Sequence, residues 1–214
     1  MKKLICVLLM SVITITASFA QIRNIKKRIA ELRESGVDTL VIYNSYCNGC
    51  YRPYDLTKRN ICQSFDQQYL VWLKDGRNYV QLFDECYTYN ILNNSLNEFV
   101  TFIKLYLSAI KSEEIKLVQY KTIYQGKETI ATTAVDHSHL WVFDFYIGSE
   151  TIRKTIDGYR LSEYVDNTLS EPKKLATTPI KELNINYTYN KNTYLNQMKD
   201  IIETRVKELK FEKQ

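Results

Sequence analysis

The sequence predicts a single α+β domain in which an antiparallel sheet, largely a meander, packs with three main helices. Three observations carry that expectation. Asp75-Gly76 separates two runs of alternating apolar residues, "QQYLVWLK" and "RNYVQLFDE", the pattern of a two-residue β-hairpin. Four more strand-like runs follow one another from residue 117 to residue 156, with turn residues between them. Three other stretches repeat apolar residues every three or four positions, as one face of a helix does.

The chain opens on "MKKLICVLLMSVITITASFA", with Lys2 and Lys3, a short apolar run, and small residues at Ala17, Ser18 and Ala20. A charged start, a short apolar core and a small-x-small end read as a signal peptide over residues 1–20, cut after Ala20. The apolar run is short of the roughly 20 residues that a spanning helix needs. The mature chain is therefore expected to be exported, periplasmic or extracellular, with no transmembrane segment after cleavage. Residues 21–214 then form the α+β domain, a cysteine-containing hairpin half (21–112) joined to a helix-plus-meander half (95–214).

Ile22, Ile25, Ile29 and Leu32 share a helix face, and Ser35-Gly36 ends that helix. Its other side carries Lys26, Lys27, Arg28 and Arg33, diluted by Glu31 and Glu34, and reads as a solvated face rather than a membrane-binding one. Asp38–Tyr46 is β-branched and aromatic, hence a strand. In the Asp75-Gly76 hairpin the turn sets the register: Tyr69 faces Leu82, Val71 faces Val80 and Trp72 faces Tyr79. Ser95 and Glu98 have the spacing of a capping box for a helix running to about Lys111. Strands are expected at 117–124, 128–135, 140–147 and 151–156, forming a sheet wrapped over that helix. The segment "SEPKKLATTP" reads as a loop. A last strand, Leu183 to Tyr189, precedes a closing helix over about 193–209.

The whole chain has 29 basic and 24 acidic residues; without Lys2 and Lys3 the balance is 27 against 24, a net charge of +3. That balance, with export, argues against a nucleic-acid partner. The mature chain keeps Cys47, Cys50, Cys62 and Cys86, an even number, and export makes disulfides the first reading. By loop entropy a Cys62–Cys86 bond contributes about 3.5 kcal/mol and a Cys47–Cys50 bond only about 2. The smaller value leaves a redox role for Cys47 and Cys50 open. However, Gly49 and Pro53 oppose a helix starting at that motif, where a helix dipole would activate the thiol. A zinc-stabilised structural domain is a further alternative, although no second Cys-x-x-Cys is present.

His137 and His139 in "DHSHL" are the only histidines and a conceivable metal pair, but the run also reads as an Asp-initiated turn. No Gly-x-Ser-x-Gly, phosphate loop or His-Glu-x-x-His occurs. Trp72, Tyr79, Tyr187 and Tyr189 are candidate ligand-binding aromatics, because Tyr faces and Asn amides suit sugar rings or peptides, although the Tyr face of the 183–189 strand also reads as core and its Asn face as solvent-facing. The functional expectation is a disulfide-stabilised binding protein, with no cofactor, for a protein or a cell-envelope glycan. The competing class is a thiol-disulfide oxidoreductase using Cys47 as nucleophile and Cys50 as resolving thiol.

Overall fold

The structure is a computed structural model that describes residues 25–50, 66–166 and 181–214. The expected signal peptide (residues 1–20), Cys62 and the expected loop over 170–179 lie outside the described residues. Helix α1, described over residues 25–34, is followed by β1 (Thr39–Asn48), β2 (Gln67–Lys74), β3 (Arg77–Phe83) and β4 (Thr88–Asn93). Helix α2 (Asn97–Ser112) leads to β5 (Val118–Tyr124), β6 (Lys127–Thr133), β7 (Ser138–Ile147) and β8 (Glu150–Asp157). A 3-10 turn (Gly158–Leu161), β9 (Tyr164–Asp166), β10 (Lys181–Leu183), α3 (Tyr187–Asn192) and α4 (Tyr194–Val206) complete the chain.

Six strands form one antiparallel sheet in the order β4-β3-β2-β1-β7-β8. The expected hairpin register holds, with Tyr69 opposite Leu82, Val71 opposite Val80 and Trp72 opposite Tyr79. Both faces of the sheet are covered. On one face Val41, Tyr43, Val71, Val80, Phe143 and Phe145 meet Phe99, Ile103 and Ile110 of α2 and Leu195, Met198 and Ile202 of α4. On the other, Leu40, Leu70 and Trp72 meet Ile25 and Leu32 of α1. Burial on two sides explains why β2 reads "YLVWL", an unbroken apolar run instead of an alternating one. Helix α1 stops as expected: Val37 N–H donates to the Leu32 carbonyl, Gly36 N–H to that of Arg33, and Gly36 takes φ +84°.

Three local expectations are corrected. The four strands after α2 are not one meander: β5 and β6 form a separate two-stranded sheet, while β7 and β8 join the main sheet beside β1. The two halves of the chain are thus interleaved, since β1 pairs with β2 on one side and β7 on the other. The Ser95/Glu98 capping box does not form. Ser95 Oγ donates to the Asn93 carbonyl, Glu98 pairs with Arg205, and buried Asn78 serves the helix start by accepting from Leu96 N–H at 3.0 Å.

The expected strand from Leu183 to Tyr189 ends at Leu183 and turns into α3. Two buried asparagines account for the break. Asn184 accepts from Asn186 N–H (3.1 Å) and donates to the Ser162 carbonyl (3.0 Å). Asn190 accepts from Lys116 N–H and donates to the Lys116 and Arg160 carbonyls, all within 2.9 Å. Side chains that bind backbone across the fold override the two-residue alternation.

Candidate functional site

The end of β1 brings polar and aromatic side chains together on one face of the main sheet. Alternation places Tyr43, Ser45 and Cys47 on one face, and the register sets Phe143, Trp141 and His139 of β7 opposite them. Burial falls along this ladder. Tyr43 and Phe143 are 2% and 0% exposed, Ser45 and Trp141 are half-buried, and His139 is exposed. The ladder therefore runs from core to surface in five residues.

Helix α4 closes one side. Trp141 Nε1–H donates to Glu203 Oε1 at 2.6 Å, and the buried Lys199 ammonium sits 4.7 Å from the Trp141 ring. Lys199 is neutralised by Asp200 at 2.5 Å and Glu203 at 3.8 Å, so burying its charge is compensated. Ser45 Oγ and His139 Nε2 are 2.7 Å apart. Among the described residues no carboxylate hydrogen-bonds His139, so the pair lacks the third member of a hydrolytic triad.

A recess of about 210 Å³ opens between β1, β2 and α4. Tyr43, Ser45, Gln67 and Tyr69 form its floor, and Glu203, Val206 and Lys207 form its wall. Burial, and then the Glu203 charge, raise the Tyr43 pKa well above the usual tyrosine range. Burial raises that of Tyr69 as well. Both hydroxyls stay protonated and able to donate, and Tyr69 already donates to Gln67 Oε1 at 2.9 Å. The recess therefore offers hydroxyls, an amide, a carboxylate and an ammonium against an aromatic floor.

At the outer end of the β1–β7 ladder Cys47 and Cys50 are joined by a disulfide, their Cα atoms 5.5 Å apart. Gly49, at φ +70°, lies so close to His137 that a Cβ there would stand 2.6 Å from the ring carbon Cδ2. The left-handed dihedral favours glycine, and a Cβ here would have to push the His137 ring aside. Cys86 is also disulfide-bonded. Asp84 shapes its turn, accepting from Cys86 N–H (2.7 Å), Tyr87 N–H (2.6 Å) and the Tyr89 hydroxyl (2.6 Å).

The aromatics singled out for ligand binding do not share a surface. Trp72 is 4% exposed, stacked on Tyr79 at 5.5 Å and covered by α1, with the Arg28 guanidinium 5.4 Å away. Tyr187 and Tyr189 lie on α3, where Tyr189 carries the Lys116 ammonium 4.0 Å from its ring. His137 and His139 both come to the Cys47–Cys50 loop. With Cys47 and Cys50 joined in the disulfide, no group of three or more His, Cys, Asp or Glu among the described residues is placed to hold a metal. Sequence reasoning missed Tyr43, Ser45, Tyr69, Glu203 and Lys207. The two-residue alternation in "YNSYC" carried a signal for the first two, and the four-residue spacing of Glu203 and Lys207 at the end of α4 for the last two. Among the described residues no helix is long and apolar enough to cross a membrane.

No protein-family model matches this chain, and no curated protein or solved structure matches it.

Proposed function

We propose that the protein is an exported, disulfide-stabilised binding protein whose ligand is gripped at the end of β1, and that the ligand is a polymer, a cell-envelope glycan or a protein, read one unit at a time. The observation carrying this reading is the recess between Tyr43, Tyr69 and Glu203. Its volume of about 210 Å³ is smaller than a typical small-molecule site, roughly 300–1,000 Å³. One sugar or one side chain fits; a free dinucleotide or flavin does not. Neutral Tyr hydroxyls beside Glu203 and Lys207 suit a hydroxyl-rich unit, which needs donors and acceptors above an apolar ring face.

The test is titration of the isotopically labelled mature chain with soluble envelope-glycan fragments and with peptides, followed by amide NMR. The reading expects shifts confined to residues 43–47, 67–69 and 199–207, and at least tenfold weaker binding in Glu203→Gln. Shifts centred on the β5–β6 hairpin, with Glu203→Gln unaffected, would move the site elsewhere.

The oxidoreductase reading is favoured by one observation, the two histidines flanking the Cys47–Cys50 loop, which could exchange protons with a thiol. It ranks second because Cys47 is at the C-terminal end of a strand, without the helix dipole that activates such thiols.

A further inference from the structure

We infer that reduction of the Cys47–Cys50 disulfide creates a Cys2His2 site, formed with His137 and His139, that binds one thiophilic divalent cation of the Zn2+ class. The four residues come from two distant stretches, C-x2-C in the 47–50 loop and H-x-H in the 137–139 segment, and the β1–β7 pairing brings them together. Cys47 is directly opposite His139, and opposed residues of antiparallel strands have Cα atoms about 4.5–5.5 Å apart. Cys50 is within a disulfide's reach of Cys47, and the His137 ring rests on Gly49 between them. Two thiolates and two imidazoles are a complete tetrahedral set for zinc.

Two further features fit this assignment. His137 makes no hydrogen bond among the described residues and is exposed, so its ring is free to turn toward a metal. His139 uses Nε2 in its contact with Ser45 Oγ. With Nε2–H donating to Ser45, the lone pair lies on Nδ1, and a metal-binding histidine usually anchors its other nitrogen in this way. Ser45 is then a positioning residue. The oxidised protein offers no such site, because both sulfurs are spent in the S–S bond.

The chemistry balances with a dithiol reductant. Its two thiols donate two electrons and two protons, its own sulfurs end as a disulfide, and Cys47 and Cys50 end as thiols. Binding M2+ then displaces the two thiol protons, and both imidazoles enter neutral.

The test titrates the mature chain with Co2+ as a spectroscopic stand-in for Zn2+, before and after reduction by a non-coordinating phosphine. The inference expects one equivalent bound by the reduced chain, with the strong visible absorption of tetrahedral thiolate-ligated Co2+, and none by the oxidised chain. The His137→Ala/His139→Ala double variant keeps both thiols and replaces exposed side chains. It should bind at least tenfold more weakly and lose the tetrahedral spectrum, with its far-UV dichroism unchanged. Ser45→Ala should weaken binding about tenfold. Unchanged affinity and spectrum in the double variant would mean that the dithiol acts alone, and that result overturns the site. Failure of the reduced wild type to bind, or equal binding by the oxidised chain, overturns it too.

Discussion

Replacing Asn78 by alanine tests how the sheet and α2 are locked together. Asn78 is 3% exposed in β3, and its Oδ1 accepts from Leu96 N–H at 3.0 Å, while its Nδ2 donates to Asn97 Oδ1. Leu96 is itself 1% exposed, so its N–H has no access to water once the acceptor is removed. An orphaned buried donor costs about 1–3 kcal/mol, and the lost bond to Asn97 adds about 1. Asn78→Ala should therefore cost about 2–4 kcal/mol, which lowers Tm by roughly 4–16 °C for a chain of this size. Ser95→Ala, by contrast, removes only a hydroxyl that donates to the surface carbonyl of Asn93, and should stay within about 0.5 kcal/mol. Urea unfolding followed by far-UV dichroism measures both variants side by side. If Ser95→Ala costs a kilocalorie or more while Asn78→Ala is neutral, the local capping box forms after all and the tertiary cap is wrong.

Cys86→Ser should cost about 2–5 kcal/mol, whereas Cys47→Ser should cost no more than about 2, because the loop it opens is so short. Peptide mapping without reduction should recover Cys47 joined to Cys50 and Cys86 joined to Cys62; a Cys50–Cys86 peptide would contradict the framework. Gly49→Ala should destabilise by about 1–2 kcal/mol through its left-handed φ alone and should shift the His137 ring resonances in NMR, since the new Cβ meets that ring. Alkaline stability should depend on Tyr89, whose pKa is pushed from 10.0 up to about 12 by burial and then by its hydrogen bond to Asp84. The folded state holds this proton more tightly than the unfolded state does. Its contribution is therefore complete below pH 10.0 and is lost as pH rises toward about 12. Tyr89→Phe should show a smaller fall across that window in denaturation midpoints, and an identical fall would remove Tyr89 from the explanation.

Local patterns in the chain foretold much of the fold. The Asp75-Gly76 register, the end of α1 at Gly36 and the Leu195, Met198, Ile202 stripe all depend on residues close together in sequence, and all are observed. What failed depended on partners far away. The α2 cap is supplied by Asn78, eighteen positions before Leu96. The break after Leu183 is made by Asn184 and Asn190 reaching the backbone of Ser162, Arg160 and Lys116. The candidate site was hidden for the same reason. "YNSYC" shows that Tyr43, Ser45 and Cys47 share a face, but neither α4 nor the "HSH" segment can be placed beside them without the β1–β7 pairing. Trp72 and Tyr79 stood out as candidate ligand-binding aromatics because nothing local says that α1 covers that side of the hairpin.

The binding assignment can be tested most directly on its main rival. Residues 21–214, their Cys47→Ser variant and a no-protein control are each given a protein disulfide substrate and a dithiol reductant, and substrate reduction is timed. The account predicts that wild type and variant both match the control, and that Cys47→Ser keeps its ligand-induced NMR shifts at residues 43–47 and 199–207. Reduction well above the control by the wild type, abolished in Cys47→Ser, would make this protein an oxidoreductase and end the binding reading.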